Sequence, residues 1–199
     1  DMGTPRSRRM TGGAIQLQRD GANLAEYLLD IYQKDTLAFN GIVETLQEIL
    51  PYVKDLRSTV VADINRSVFL EMAEQGFRVP GWMLSSGTLR IVALLALLRH
   101  PTPPPLIVIE EPEVGLHPSM LPIIAEFAQA ASEKCQVIFT THSIAFLDAF
   151  SDKNPQITVT QMEEGQTKVK VLDGVKLASW LNEYSLGSLY ATGELEAME

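Results

Sequence analysis

The sequence has little cysteine and no long apolar run, and each absence narrows what the protein can be. Its single cysteine, Cys135, excludes a disulfide within the chain and fits a reducing compartment. Because an apolar run follows it, Cys135 is interpreted as a small core residue and not as a nucleophile. No stretch approaches the roughly 20 apolar residues that a membrane-spanning helix needs, and the first residues lack the apolar segment of a signal peptide. We therefore expect a cytoplasmic protein that does not enter a membrane.

Positive charge is also scarce. The chain of 199 residues carries 16 Lys and Arg against 25 Asp and Glu, which gives a net charge of −9. Since contacts to nucleic-acid phosphates need positive charge, general binding to nucleic acid is disfavoured. A local basic patch at Arg6, Arg8 and Arg9 is the candidate exception, and a solvated, flexible terminus is the preferred interpretation of it.

Apolar periodicity predicts two helices near the start of the chain, over residues 23–33 and 36–50. Asn23 is a candidate N-cap of the first helix, with Glu26 at the capping-box position. Pro51 ends the second helix, because proline cannot continue the hydrogen-bond ladder.

Two β-hairpins are predicted, one before and one after the middle of the chain. Residues 58–64 and 67–74 have strand character, and the second stretch alternates in the manner of a strand. Residues 156–162 and 167–172 form the other pair, with a turn at residues 164–165.

Helices and buried strands alternate between residues 84 and 149, which predicts an α/β fold with a parallel sheet. The short apolar runs at residues 106–109 and 136–139 are typical of buried parallel strands. Predicted helices lie before, between and after these strands, at residues 89–98, 118–134 and 144–149.

Polar side chains follow both predicted strands, and functional groups gather at the carboxyl ends of strands in open parallel sheets. Glu110 could hold Mg²⁺, directly or through water, and Glu111 could orient or deprotonate an attacking water. His142 could hydrogen-bond a transferring phosphate. Each also has a plainer interpretation: solvated acids after a strand, and a histidine in a loop that Ser143 caps. Taken one at a time, the plainer interpretations are preferred.

A third pattern, Ser85, Ser86, Gly87 and Thr88, stands at the start of a predicted helix. Hydroxyls, a glycine and exposed N–H groups at a helix N-terminus form an anion site. An ordinary N-cap explains the same residues, so this pattern is weak by itself.

The order and spacing of the three patterns are more specific than any one of them. Residues 84–90 (LSSGTLR), 106–118 (LIVIEEPEVGLHP) and 141–143 (THS) together resemble the ATPase heads of the ABC superfamily, of the SMC, RecF and OLD-nuclease kind. The similarity covers about residues 80–150. It implies the C-terminal lobe of an ABC-type P-loop NTPase, an α/β fold with a parallel sheet, a helical insert and peripheral β-hairpins.

The resemblance also implies a role for each residue after the strands. Glu110 would be the Walker B acid that holds Mg²⁺, although aspartate is usual there and glutamate is one methylene longer. Glu111 would be the catalytic carboxylate, and His142 the switch histidine. Residues 113–117 would form the D-loop that lies across a dimer interface. For His117 a catalytic role stands beside a structural interpretation, in which His117 leads into a helix that begins at Pro118.

Ser85, Ser86 and Gly87 would be the signature motif, which contacts the γ-phosphate of ATP held by the opposite subunit. No Gly-x-x-x-x-Gly-Lys-Ser/Thr pattern occurs in the sequence, so the phosphate-binding Walker A loop of a complete head is missing from it. We expect residues 1–80 to be a helical insert and hairpin region that follows a missing Walker A lobe, and residues 81–199 to be the C-terminal ATPase lobe.

Two functions follow from the resemblance. The first is ATP hydrolysis with Mg²⁺ in a homodimer with composite ATP sites, in DNA repair, chromosome maintenance or phage defence, by the full-length protein and not by these residues alone. DNA or a separate nuclease or effector chain is the expected partner. The second is a non-hydrolysing module that senses ATP and regulates a partner effector. A structural domain that has lost catalysis is disfavoured, because Glu111, His142 and the signature are all intact.

Overall fold

The computed structural model describes the backbone of residues 6–7 and, in full, residues 15–60 and 67–198. The chain divides into two compact units, which we describe separately. The N-terminal unit comprises Asp1–Val108 and Ala130–Ile138, and the C-terminal unit comprises Ile109–Gln129 and Phe139–Glu199. The side chains of the basic patch at Arg6, Arg8 and Arg9 lie outside the described residues.

Two helices begin the fully described part of the N-terminal unit, α1 (Leu24–Lys34) and α2 (Thr36–Ile49), as the periodicity predicts. Asp35 caps α2 by accepting a hydrogen bond from the Ala38 N–H at 2.9 Å. Asn23 precedes α1, but the predicted capping box is wrong. The Asn23 side chain instead accepts a hydrogen bond from the Gln18 N–H at 2.8 Å, which secures the chain leading into the helix.

An antiparallel sheet belongs to the same unit, and its strands are β1 (Arg6–Ser7), β2 (Asp55–Val60), β3 (Ser67–Glu74) and β4 (Phe77–Pro80). β3 pairs with the other three strands. The predicted β2–β3 hairpin is confirmed, and its positions 61–64 lie outside the described residues. β4 was not predicted.

The helix that carries the signature pattern is α3 (Ser86–Leu98). Its side chains are apolar on nearly every face, and those buried in the core are Leu89, Ile91, Val92, Leu94, Leu95, Ala96 and Leu98. Just beyond its C-terminus, the Arg99 guanidinium donates hydrogen bonds to the Gly41 carbonyl at 2.8 Å and to Thr45 Oγ1 at 3.0 Å. These bonds attach the end of α3 to α2.

The central strands are β5 (Leu106–Glu110) and β6 (Gln136–Thr140), which pair with each other. Backbone hydrogen bonds from Gln136 to Pro105 and from Glu111 to Thr140 follow the same order along both strands, so the pair is parallel as predicted. Between them, a 3₁₀ turn (Pro118–Met120) leads into α4 (Leu121–Ser132).

The expectation that these strands are buried along their whole length is wrong. Ile107 and Ile109 are buried, but Leu106 is 47% exposed, Val108 55% and Ile138 41%. Burial therefore alternates along each strand, because the described residues cover only one face of the pair.

After β6, the described part of the C-terminal unit contains four short helices and a hairpin. They are α5 (Ile144–Asp148), β7 (Thr158–Glu163), β8 (Gln166–Val171), α6 (Gly174–Leu181), α7 (Leu186–Ala191) and α8 (Glu194–Ala197). The predicted hairpin is confirmed, and both of its turn residues, Glu164 and Gly165, have positive φ. The C-terminal unit has an apolar core of five buried leucines, Leu172, Leu177, Leu186, Leu189 and Leu195.

Helix α7 packs closely on α5. The Gly187 N–H donates to Asp148 Oδ1 at 2.8 Å, and the Leu186 N–H donates to Ser151 Oγ at 2.9 Å.

Among the described residues, no helix combines the length and apolar character that crossing a bilayer requires.

Candidate functional site

Two adjacent carboxylates mark the end of β5. Glu110 is the last residue of the strand, Glu111 follows it, and both side chains are exposed. The Glu111 N–H donates to the Thr140 carbonyl at 2.9 Å, so strand pairing continues one residue past β5. The pairing therefore fixes the backbone from which the Glu111 carboxylate projects.

The backbone of Glu111 is strained. Its φ of 44° lies in the left-handed region, which side-chain-bearing residues rarely adopt. Among the described residues, only Asn154 and Glu164 share this feature without being glycine. Glu164 lies in a hairpin turn that requires positive φ, and asparagine tolerates it. Glu111 has neither reason, and such strain, about 1–3 kcal/mol, is concentrated at functional sites.

The loop after β6 contains Thr141, His142 and Ser143. Ser143 Oγ accepts a hydrogen bond from the Phe146 N–H at 3.2 Å and caps α5, as the plainer interpretation of this loop expects. The His142 ring is exposed, and its Nδ1 lies 3.3 Å from the Tyr190 hydroxyl on α7. This contact leaves Nε2 as the ring nitrogen that faces away from the tyrosine.

Glu113 connects the two loops. Thr141 Oγ1 donates a 2.6 Å hydrogen bond to Glu113 Oε1 and accepts one from the Ser143 N–H at 2.9 Å. Neither this bond nor the contact of His142 with Tyr190 was predicted from the sequence. The loops are separated by many residues along the chain, and no local pattern identifies which side chains meet.

The signature residues lie in the N-terminal unit, at the beginning of α3. Ser85 is the N-cap, and its Oγ accepts a hydrogen bond from the Thr88 N–H at 3.0 Å and lies 2.8 Å from Thr88 Oγ1. Ser86 and Gly87 form the first turn of this 13-residue helix, and both serines are exposed. The structure thus has the N-cap that the plainer interpretation expects, and the helix start also suits an anion.

His117 has a structural role in the described chain. Its Nδ1 lies 2.8 Å from Ser119 Oγ and 3.3 Å from the Ser119 backbone nitrogen, so it caps the 3₁₀ turn that begins at Pro118. The predicted position of Pro118 at the first residue of a helical segment is confirmed.

Glu110 and Glu111 suit Mg²⁺ chemically, because a hard cation prefers carboxylate oxygens. Among the described residues, no group of three or more His, Cys, Asp or Glu side chains could enclose a metal ion. Mg²⁺ in nucleotide sites is typically held by one or two carboxylates together with phosphates and water. The two carboxylates therefore fit a site in which the nucleotide phosphates supply the other ligands of the ion.

Cys135 behaves as predicted. It is buried and free, its Sγ donates to the Ala131 carbonyl at 3.3 Å, and burial raises the pKa of the thiol. A raised pKa keeps the sulfur protonated and unreactive, which fits a core residue.

A family model described as "AAA domain, putative AbiEii toxin, Type IV TA system" matches residues 13–148, about two thirds of the chain. This chain belongs to that AAA-domain family. The match includes the predicted signature residues 85–87, the carboxylates Glu110 and Glu111 at the end of β5, and the His142 loop. A comparison with curated proteins found no match.

Solved SMC heads are similar in fold to this AAA-domain chain. A structure from work on ATP-driven dimerization and DNA stimulated activation of SMC ATPases has a TM-score of 0.56 at 16% identity, over 78% of this chain and 96% of that one. An SmcHead bound to the C-winged helix domain of ScpA has a TM-score of 0.60 at 14% identity, over 79% and 55%. The Pyrococcus furiosus Smc head domain with an extended coiled coil, bound to the C-terminal domain of ScpA, has 0.60 at 16%, over 82% and 42%.

The chain therefore spans nearly all of the first structure, about half of the second and less than half of the third. At these identities the comparison establishes the fold alone. The predicted fold class is confirmed: the chain belongs to the AAA-domain family and has the fold of the SMC ATPase heads. The division at residue 80 and the roles of the individual site residues stay predictions.

Proposed function

We propose that this chain supplies part of an ATP-hydrolysing site that works in a homodimer closed around ATP. The observation that carries the proposal is the backbone and exposure of Glu111. Its carboxylate projects from a strained position directly after a parallel strand, and its N–H bonds to the strand that leads into the His142 loop. A carboxylate so placed can accept a hydrogen bond from water and orient it for attack on a phosphate.

Glu110 and His142 would act on either side of this water. Glu110 would hold Mg²⁺ together with the nucleotide phosphates, and the ion would supply charge neutralisation when bound. His142 would donate from Nε2 to the γ-phosphate, since its Nδ1 lies near the Tyr190 hydroxyl. In this arrangement the imidazole reports whether the γ-phosphate is present.

The signature would act in the other protomer. Ser85, Ser86 and Gly87 stand at the start of a long apolar helix, where hydroxyls, N–H groups and the positive end of the helix dipole favour an anion. We infer that they contact the γ-phosphate of ATP bound by the partner, so that each site needs both copies.

A phosphate-binding loop would complete the site, since the sequence contains none. The exposed side chains of Leu106, Val108 and Ile138 support this inference. Parallel sheets are almost always covered on both faces, whereas these strands expose alternate apolar residues. Further strands or helices that carry the Walker A loop would cover them.

ATP-driven closing and opening of the dimer would then act on a partner, DNA or a separate nuclease or effector chain, in DNA repair, chromosome maintenance or phage defence. The basis for ATP is the family and the fold, and the basis for a partner is the analogy with SMC heads. The competing function is an ATP-sensing assembly module with little turnover.

Replacement of Glu111 by Gln tests the proposal in the polypeptide that joins this chain to its Walker A lobe. The substitution keeps the shape and removes the base, so steady-state ATP hydrolysis should fall about 100-fold or more while ATP-dependent dimerisation persists. Sedimentation with and without ATP measures the dimer. Unchanged hydrolysis would contradict the role of Glu111, and a wild-type protein that dimerises without turnover would establish the sensing module instead.

A further inference from the structure

We propose that Glu113 is a positioning residue that holds the His142 loop against the Glu111 loop. The consequence for catalysis rests on the proposed function. The contacts that support the inference all lie within the C-terminal unit, and they do not depend on the proposed function.

The first contact is a relay through Thr141. Glu113 Oε1 accepts from Thr141 Oγ1 at 2.6 Å, and Thr141 Oγ1 accepts from the Ser143 N–H at 2.9 Å. His142 lies between Thr141 and Ser143, so one carboxylate anchors the residues on both sides of it. A short bond between a carboxylate and a hydroxyl is among the stronger protein hydrogen bonds.

A second contact fixes the orientation of the His142 loop relative to the Glu111 loop. The Glu111 N–H already bonds to the Thr140 carbonyl at 2.9 Å. This bond is the last of the pairing between β5 and β6, so the two loops can diverge beyond it. The bond between Thr141 and Glu113 joins them again on the far side. The backbone of the catalytic carboxylate and that of the histidine are thereby held in one orientation.

The other carboxylate oxygen of Glu113 indicates that this residue does not serve the stability of the fold. Oε2 is shielded from solvent and has no hydrogen-bonding partner within the described part of the chain. An unsatisfied buried oxygen destabilises the fold, so an apolar residue would be less costly here. Groups retained at such a cost are expected where they serve a function.

Amide hydrogen exchange at Ser143 in this chain tests the positioning directly. Glu113→Ala and Thr141→Val should each speed exchange about tenfold, because the relay that protects this N–H is lost. Thr141→Ser keeps the hydroxyl and Glu113→Gln keeps an acceptor oxygen, so both should stay within about twofold of the wild type. Unchanged exchange in both Glu113→Ala and Thr141→Val would overturn the inference, whatever the ATPase does.

A double-mutant cycle in the complete ATPase tests the catalytic consequence. Glu113→Ala and Thr141→Val should each lower kcat about tenfold with KM for ATP within about twofold, and the double variant should be no worse than the single ones, since all remove one bond. Losses that multiply in the double variant would overturn the inference. If the wild-type protein hydrolyses no ATP, the proposed function fails, and the exchange measurement alone decides the role of Glu113.

Discussion

At the scale of single residues, Glu111 shows most clearly that the candidate site lowers the stability of the fold. Its left-handed backbone is unfavourable for a residue that carries a Cβ. The pairing of its N–H with Thr140 maintains it. We infer that the strain is tolerated because the exposed Glu111 carboxylate serves the site.

The strain predicts an unusual order of stability. Glu111→Gly should be more stable than Glu111→Ala by about 0.5–1 kcal/mol, because the relief of about 1–2 kcal/mol of strain exceeds the cost of glycine's freedom in the unfolded chain, about 0.5–1 kcal/mol. Urea unfolding of the chain measures the difference. Glu110, within β5, is the matched control, and there the glycine variant should be the less stable of the pair. If the glycine variant is less stable than the alanine variant at both positions, the backbone of Glu111 is not strained.

At the scale of elements, the contact between α5 and α7 positions Tyr190 beside His142. Gly187 makes this contact possible, since a Cβ there would lie 2.5 Å from Asp148 Oδ1 and 2.6 Å from the Ile144 carbonyl. The second atom belongs to the backbone and cannot move aside cheaply. The close approach of the two helices therefore depends on the absence of a side chain.

Gly187→Ala should destabilise the chain by about 1–3 kcal/mol, because the helices must separate to accept the methyl group. Gly174→Ala is the control, since Gly174 begins α6 with nothing within 4 Å of the added Cβ, and it should leave stability unchanged or raise it by up to about 1 kcal/mol. Thermal unfolding of both variants measures this. Equal stability of the two would show that α7 does not need its present distance from α5.

Elements with a strong local signal could be predicted from the sequence. Helix α2, with its apolar period and the proline after it, and the hairpin at Glu164 and Gly165 are examples. β4 was missed because four residues after a tight turn carry too little periodicity. The bonds from Glu113 to Thr141 and from His142 to Tyr190 join residues 28 and 48 positions apart, and only the folded chain brings them together.

At the scale of the whole molecule, we propose that these residues form only part of the ATP site. The sequence contains the patterns to which we assign the signature, Walker B and switch-histidine roles, but no Gly-x-x-x-x-Gly-Lys-Ser/Thr pattern. The chain spans about half or less of two of the SMC heads that it resembles in fold. Most of the affinity for a nucleotide comes from the loop that surrounds its phosphates, together with the bound cation. Nucleotide binding should therefore depend on a segment outside these residues.

Calorimetric titration with ATP and Mg²⁺ of two proteins tests this claim most directly. One is the isolated chain, and the other is the same chain joined to its Walker A lobe. We predict no saturable binding of ATP by the isolated chain and tight binding by the joined protein. Tight binding of ATP by the isolated chain would contradict the account.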